Sequence, residues 1–128
     1  MTDNIVRFRL QVSDETLADL RERIARTRWP DQVGGDWKYG TPVNYLKALC
    51  LYWATRFDWR AQEAKINAFD HFGTDIEGER LHFIHQRSPE PDAKPLLLSH
   101  GWPGSITEFL KIIGPLTNPR AYGGDPKD

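Results

Sequence analysis

The chain is poor in sulfur: its 128 residues include one cysteine, Cys50, and one methionine, Met1. A single thiol closes no internal disulfide, so the fold must hold by packing, and a reducing, cytoplasmic setting is expected. Neither sign of charge is in excess. Lys and Arg number 17 against 18 Asp and Glu, a net charge of −1, which leaves no electrostatic footprint for nucleic acid or an anionic membrane. No apolar run approaches the ~20 residues needed to cross a bilayer. The opening Met1-Thr2-Asp3-Asn4-Ile5-Val6-Arg7 carries charge where a secretory signal needs an apolar core. Internal repeats and low-complexity segments are also missing.

Aromatic residues are plentiful. The 39% hydrophobic and 12% aromatic content excludes disorder, and the length suffices for one core without staples. Five tryptophans in so short a chain are expected to pack against large apolar surfaces.

Periodicity divides the chain. Val6, Phe8, Leu10 and Val12 alternate with polar residues, the pattern of a half-buried strand. Ser13 is placed to cap a helix carrying Leu17, Leu20 and Ile24, which Pro30 is expected to end. An irregular loop follows from Asp31 to Gly40. Thr41 and Pro42 then fit the N-cap and first position of a helix whose apolar face is Val43, Leu46, Leu49, Cys50, Trp53 and Phe57. Asp58 can cap a short helix bearing Trp59, Glu63 and Ile66. Phe69 to Arg87 reads as a hairpin turning at Glu77-Gly78-Glu79.

A connector, Ser88 to Lys94, leads to Pro95–Ser99, whose Leu96-Leu97-Leu98 run predicts a buried strand. Ser105 with Glu108 forms a capping-box signature for a helix carrying Ile106, Phe109, Leu110 and Ile113, with Gly114-Pro115 as its stop. The tail after Asn118-Pro119 is Gly-rich and polar. The fold class is therefore α/β, with residues 1–68 a helical segment and 69–128 the start of a sheet-based core.

Few residues invite chemistry. His82 and His85 lie three apart on a predicted strand, so they face opposite sides and cannot share a metal; His71 has no partner at ligand spacing. With no H-E-x-x-H helix, no metal and no cofactor is expected, and these histidines read as structural or surface residues. Neither Ser99 nor Ser105 sits in a G-x-S-x-G elbow, and Ser105 is explained as a cap. Asp125, in Gly123-Gly124-Asp125-Pro126, follows no apolar strand, and Pro126 has no N–H to offer an oxyanion, so Asp125 reads as a turn residue. The segment His100-Gly101-Trp102-Pro103-Gly104-Ser105 remains. An apolar strand, a Gly/Pro loop and a capped helix in that order aim backbone N–H groups at a place where negative charge can be stabilised.

These residues carry a resemblance. Arg28-Trp29-Pro30, Trp37, Tyr45-Leu46, Tyr52-Trp53, Phe57-Asp58-Trp59-Arg60, Glu63, Ile66-Asn67 and Leu81-His82-Phe83-Ile84-His85 are similar to the N-terminal region of epoxide hydrolases of the microsomal and juvenile-hormone type. His100 to Ser105 resembles that family's H-G-x-P oxyanion motif, which dehalogenases and soluble epoxide hydrolases also carry. The resemblance implies an α/β-hydrolase fold in which a carboxylate opens the epoxide to an alkyl-enzyme ester. A water activated by a His–acid pair then hydrolyses the ester to a vicinal diol.

In this scheme the Trp102 backbone N–H is half of the oxyanion hole, the Trp102–Pro103 bond is cis, and His100, Gly101, Pro103, Gly104 and Ser105 are motif residues. The partners implied are an epoxide substrate and the rest of the hydrolase fold, with no membrane anchor in this chain. The elbow aspartate, base histidine, relay acid and lid tyrosines lie later in such enzymes, so the isolated chain, stopping before the elbow, is expected to be inactive. A non-catalytic binding module of the same fold, or a truncated dehalogenase-like hydrolase, accommodates the same residues.

Overall fold

A computed structural model describes residues 4–127; the ends of the two expected segments, residues 1–3 and 128, lie outside it, as does the start of the stretch read against a secretory signal. The chain forms two compact units. Residues up to 10 together with those from 62 onward make the first, and Gln11–Ala61 the second.

The first unit is built on a three-stranded antiparallel sheet of β1 (Val6–Arg7), β2 (His71–Ile76) and β3 (Glu79–Ile84), in that order. The predicted hairpin is present. Glu77 and Gly78 both have positive φ, 52° and 89°, the backbone of a two-residue type I′ turn whose twist matches that of its strands. This turn sets the register: Ile76 opposes Glu79 and His71 opposes Ile84. The alternating N-terminal segment pairs as a strand over only two residues, but its backbone stays attached further along. Phe8 N–H donates to His71 O at 2.9 Å. The Asn67 side-chain amide then takes over from the ladder, accepting from Leu10 N–H at 2.9 Å and donating to Leu10 O at 2.8 Å. The core of this unit lies on one face of the sheet, where Ile66 is 8% and His71 3% exposed.

In the second unit, α1 (Asp14–Ala25) packs against α2 (Val43–Thr55). Ser13 Oγ accepts Thr16 N–H at 3.1 Å, so the predicted cap holds, and Leu17, 8% exposed, is the most buried apolar side chain there. Arg60 secures the entry to α1, donating to Val12 O at 2.7 Å and to Asp14 Oδ1 at 2.5 Å. The third helix, α3 (Trp59–Ile66), starts where expected, with Asp58 Oδ1 accepting Ala61 N–H at 3.0 Å; the boundary between the units falls within it.

Several expectations need correction. Pro30 does not end α1. The helix stops at Ala25, where Thr27 donates its N–H to the Ile24 carbonyl at 3.2 Å and its hydroxyl to the Arg23 carbonyl at 3.3 Å, satisfying two acceptors of the last turn. Thr41 does not cap α2: Pro42 is the N-cap residue, and the first helical N–H, of Val43, donates to Gln32 Oε1 at 2.7 Å. The 31–40 loop contains one 3₁₀ turn, Trp37–Tyr39, capped by Asp36.

The predicted helix after Ser105 begins as a 3₁₀ turn, Ile106–Phe109, and continues as α4 (Leu110–Thr117) straight through Gly114-Pro115. The 3₁₀ turn Pro119–Tyr122 packs on this helix, and a Cβ at Gly114 would lie 2.8 Å from Tyr122 Cζ, so glycine leaves room for that ring. The tail is accordingly folded back. Its Asp125 is the turn residue expected, accepting Lys127 N–H at 3.0 Å. The five indoles are not deeply buried either. Trp29 and Trp59 are partly covered while Trp37, Trp53 and Trp102 are exposed; Trp37 meets Tyr45 edge-on at 4.9 Å.

Pro95–Ser99 is the largest departure. No strand forms there, and Leu97 is 92% exposed. A strand needs a neighbouring backbone to accept its ladder, and none pairs with this segment among the described residues.

Candidate oxyanion loop

The six residues singled out in the sequence form one tight structure. Gly104 N–H donates to Gly101 O at 2.7 Å, closing a turn over Trp102 and Pro103, and the Trp102–Pro103 peptide bond is cis, as the resemblance implied. His100 Nδ1 lies 3.0 Å from the same Gly101 carbonyl. A carbonyl can only accept, so this nitrogen carries a proton and both lone pairs of Gly101 O are engaged. On the other side of the turn the capping box is complete. Ser105 N–H donates to Glu108 Oε1 at 3.0 Å, and Ser105 Oγ accepts Thr107 N–H at 3.3 Å.

The backbone donors of the loop can be accounted for one by one. Pro103 has none; Gly104 and Ser105 have spent theirs within the loop. The N–H groups of Gly101 and Trp102 meet no acceptor among the described residues. Two neighbouring backbone donors left over on a braced turn are available to an anion or a developing oxyanion. The Trp102 side chain, 96% exposed, is not packed under the loop. Glu108 is the residue the sequence reading understated. Its spacing from Ser105 accounts for a helix cap, yet its Oε1 also lies beside Gly104, where a Cβ would overlap it.

The histidines also need revision. His71 does have a partner: its Nδ1 is 2.9 Å from His82 Nε2, and the two rings stack at 5.2 Å. They are diagonal neighbours on one face, because Gly73, two residues along from His71, opposes His82. His71 Nε2 lies 2.7 Å from Ile66 O. The carbonyl can only accept, so Nε2 is the protonated nitrogen and Nδ1 accepts from His82. Burial, and secondly the neighbouring His71, hold the His82 imidazole below its ordinary pKa of 6.5. Phe8 closes over the pair, 4.8 Å from the His82 ring. Both rings are engaged within this unit, with each other and with the Ile66 carbonyl. Among the described residues no three His, Cys, Asp or Glu side chains come together as a metal-holding group, and no helix is long and apolar enough to cross a membrane.

The family model described as the epoxide hydrolase N terminus matches residues 5–109. The chain belongs to that family. This epoxide hydrolase N-terminal region is 46% identical over 125 residues to a putative epoxide hydrolase of Stigmatella aurantiaca, covering 97% of the chain and 28% of that relative. It is 44% identical to epoxide hydrolase 1 of Oryctolagus cuniculus over 94% of the chain and 28% of the relative. The crystal structure of juvenile hormone epoxide hydrolase from Bombyx mori superposes with a TM-score of 0.78 at 33% identity, covering 88% of the chain and 28% of that structure. The epoxide hydrolase of Aspergillus niger superposes with a TM-score of 0.76, also at 33% identity. The likeness to solved α/β-hydrolase enzymes fixes the fold class, and the chain spans about 28% of the length of these two curated relatives.

Proposed function

We propose that this chain is the N-terminal portion of an epoxide hydrolase and that its 100–105 loop supplies the Trp102 N–H to the oxyanion hole. The observation that carries this reading is a Trp102 N–H with no acceptor among the described residues, on a turn braced from both sides. In the proposed reaction, a carboxylate from the downstream segment attacks an epoxide carbon, the ring C–O bond breaks, and its oxygen takes a proton from a downstream lid tyrosine to leave a hydroxyalkyl-enzyme ester. Water, deprotonated by a downstream histidine, then adds to the ester carbonyl. The carbonyl π electrons move onto oxygen, and the Trp102 N–H, with one other backbone donor, meets that charge. Collapse of the intermediate releases the diol. His100, Gly101, Pro103, Gly104 and Ser105 hold the donor, and the division at residues 68/69 separates a helical scaffold from the start of the catalytic core. The epoxide and the downstream hydrolase fold are then the partners, and a cytoplasmic location suits the single cysteine.

The test joins the whole chain to the downstream three quarters of the Stigmatella aurantiaca relative and follows diol formation from styrene oxide. The chain alone is expected to form none, and the fusion is expected to turn over. Because the donor is backbone, Trp102→Phe should stay within about tenfold of the parent. Gly104→Ala, which disrupts the turn, should slow ester hydrolysis by about 10²-fold, the scale of losing one oxyanion donor. Diol formed by the chain alone, or an inactive fusion, would overturn the reading; a stable chain with neither activity would indicate a binding module.

A further inference from the structure

We propose that Glu108 is the positioning residue for the Trp102 N–H, acting through Gly104 and Ser105 without touching substrate, an inference that rests on the oxyanion reading above. A capping box by itself requires only that Glu108 reach back to Ser105 N–H, which it does at 3.0 Å. It does not require the carboxylate to stand where a side chain at position 104 would begin. Here it does: a Cβ at Gly104 would overlap Glu108 Oε1 and lie 2.7 Å from Gly101 O. The same Oε1 therefore fills the space beside Gly104 and accepts from the Ser105 N–H, at the two residues that follow Pro103. Gly104 N–H is in turn tied to Gly101 O. Glu108 is fixed in return, its own N–H donating to Ser105 O at 3.1 Å. The carboxylate and the His100 ring thus grip opposite ends of the four-residue turn that carries Trp102.

The contribution is one of shape. A negative charge close to a developing oxyanion opposes it, so a neutral side chain of the same form should serve as well. Glutamine keeps an oxygen acceptor at the same reach, whereas alanine removes both contacts.

The kinetics separate positioning from simple loss of structure. If ester hydrolysis alone slows, the ester accumulates, kcat and KM fall together, and kcat/KM holds. If the protein merely misfolds, the active fraction drops, kcat falls at constant KM, and less ester forms in a burst. In the fusion described above, Glu108→Ala is expected to lower kcat and KM together by about tenfold, with kcat/KM and burst amplitude within about twofold of the parent. Glu108→Gln should restore both constants to within about twofold, and Gly104→Ala should shift them in the same sense as Glu108→Ala.

Unchanged kinetics in Glu108→Ala while Gly104→Ala slows hydrolysis would overturn the role of Glu108 and leave the oxyanion reading standing. No slowing in either variant would remove both. A fall in kcat at constant KM with a smaller burst, or a glutamine variant as slow as alanine, would also reject the proposal.

Discussion

Leu97, 92% exposed in a segment that pairs with nothing among the described residues, gives a perturbation whose size depends on what surrounds it. Truncating so exposed a side chain removes almost no buried surface. In the isolated chain Leu97→Ala should therefore shift stability by no more than about 0.5 kcal/mol. The Leu96-Leu97-Leu98 run has the composition of an interior strand, and the proposed function requires downstream residues to cover it. Covered, the same substitution loses the transfer energy of the deleted methyl and methylene groups and leaves a cavity, together about 2–5 kcal/mol. Urea unfolding followed by tryptophan fluorescence, run on the chain and on the fusion with and without the substitution, measures the difference between the two contexts. Equal, small shifts in both would mean that the run stays at the surface of the assembled protein, and the reasoning would fail.

The His71–His82 pair gives two further expectations. His71→Leu leaves the Ile66 carbonyl and His82 Nε2 without their partner and should cost about 2–4 kcal/mol in urea unfolding. His71→Gln retains a donor within reach of Ile66 O and should cost less than His71→Leu; equal losses would refute the assigned bond. Because the folded-state pKa of His82 lies below 6.5, the unfolded chain takes up this proton first. Its contribution to stability is therefore complete above 6.5 and declines as pH falls through the folded value. Urea midpoints at about pH 7.5 and about pH 5 should show that decline, and His82→Gln should flatten it.

Local chemistry made much of this fold readable. Ser13 and Asp58 cap helices because their oxygens lie next to N–H groups that no helix can satisfy internally. Glu77-Gly78 turns because the hairpin needs two positive φ values. Legibility failed where a distant partner decided the outcome. Gln32 starts α2 from eleven residues upstream, and α4 runs past Pro115 with Tyr122 packed on Gly114. Pro95–Ser99 has the composition of an interior strand, yet it is exposed and unpaired among the described residues, because composition supplies no pairing backbone. His71 and His82 are a different case. Once the two-residue turn at 77–78 is accepted, counting back along both strands puts them on one face, two positions out of step. At the candidate oxyanion loop the motif announces the turn and its cap. The contact of Glu108 with Gly104 was hidden because a spacing of three already had an explanation.

The Asn67 amide, bonded to both the N–H and the carbonyl of Leu10, has a consequence for how this region can vary. It shuts a loop across a separation of 57 residues at a single point, so everything strung between is an insert with a common gate. Closing such a loop depends on its length only logarithmically, about 0.6 kcal/mol for each doubling. Residues can therefore be added to or removed from the helical insert without moving the register of β1 on β2. Doubling the segment adds little to the cost of closing it, whereas a slip of one residue would turn every side chain of β1 to the opposite face.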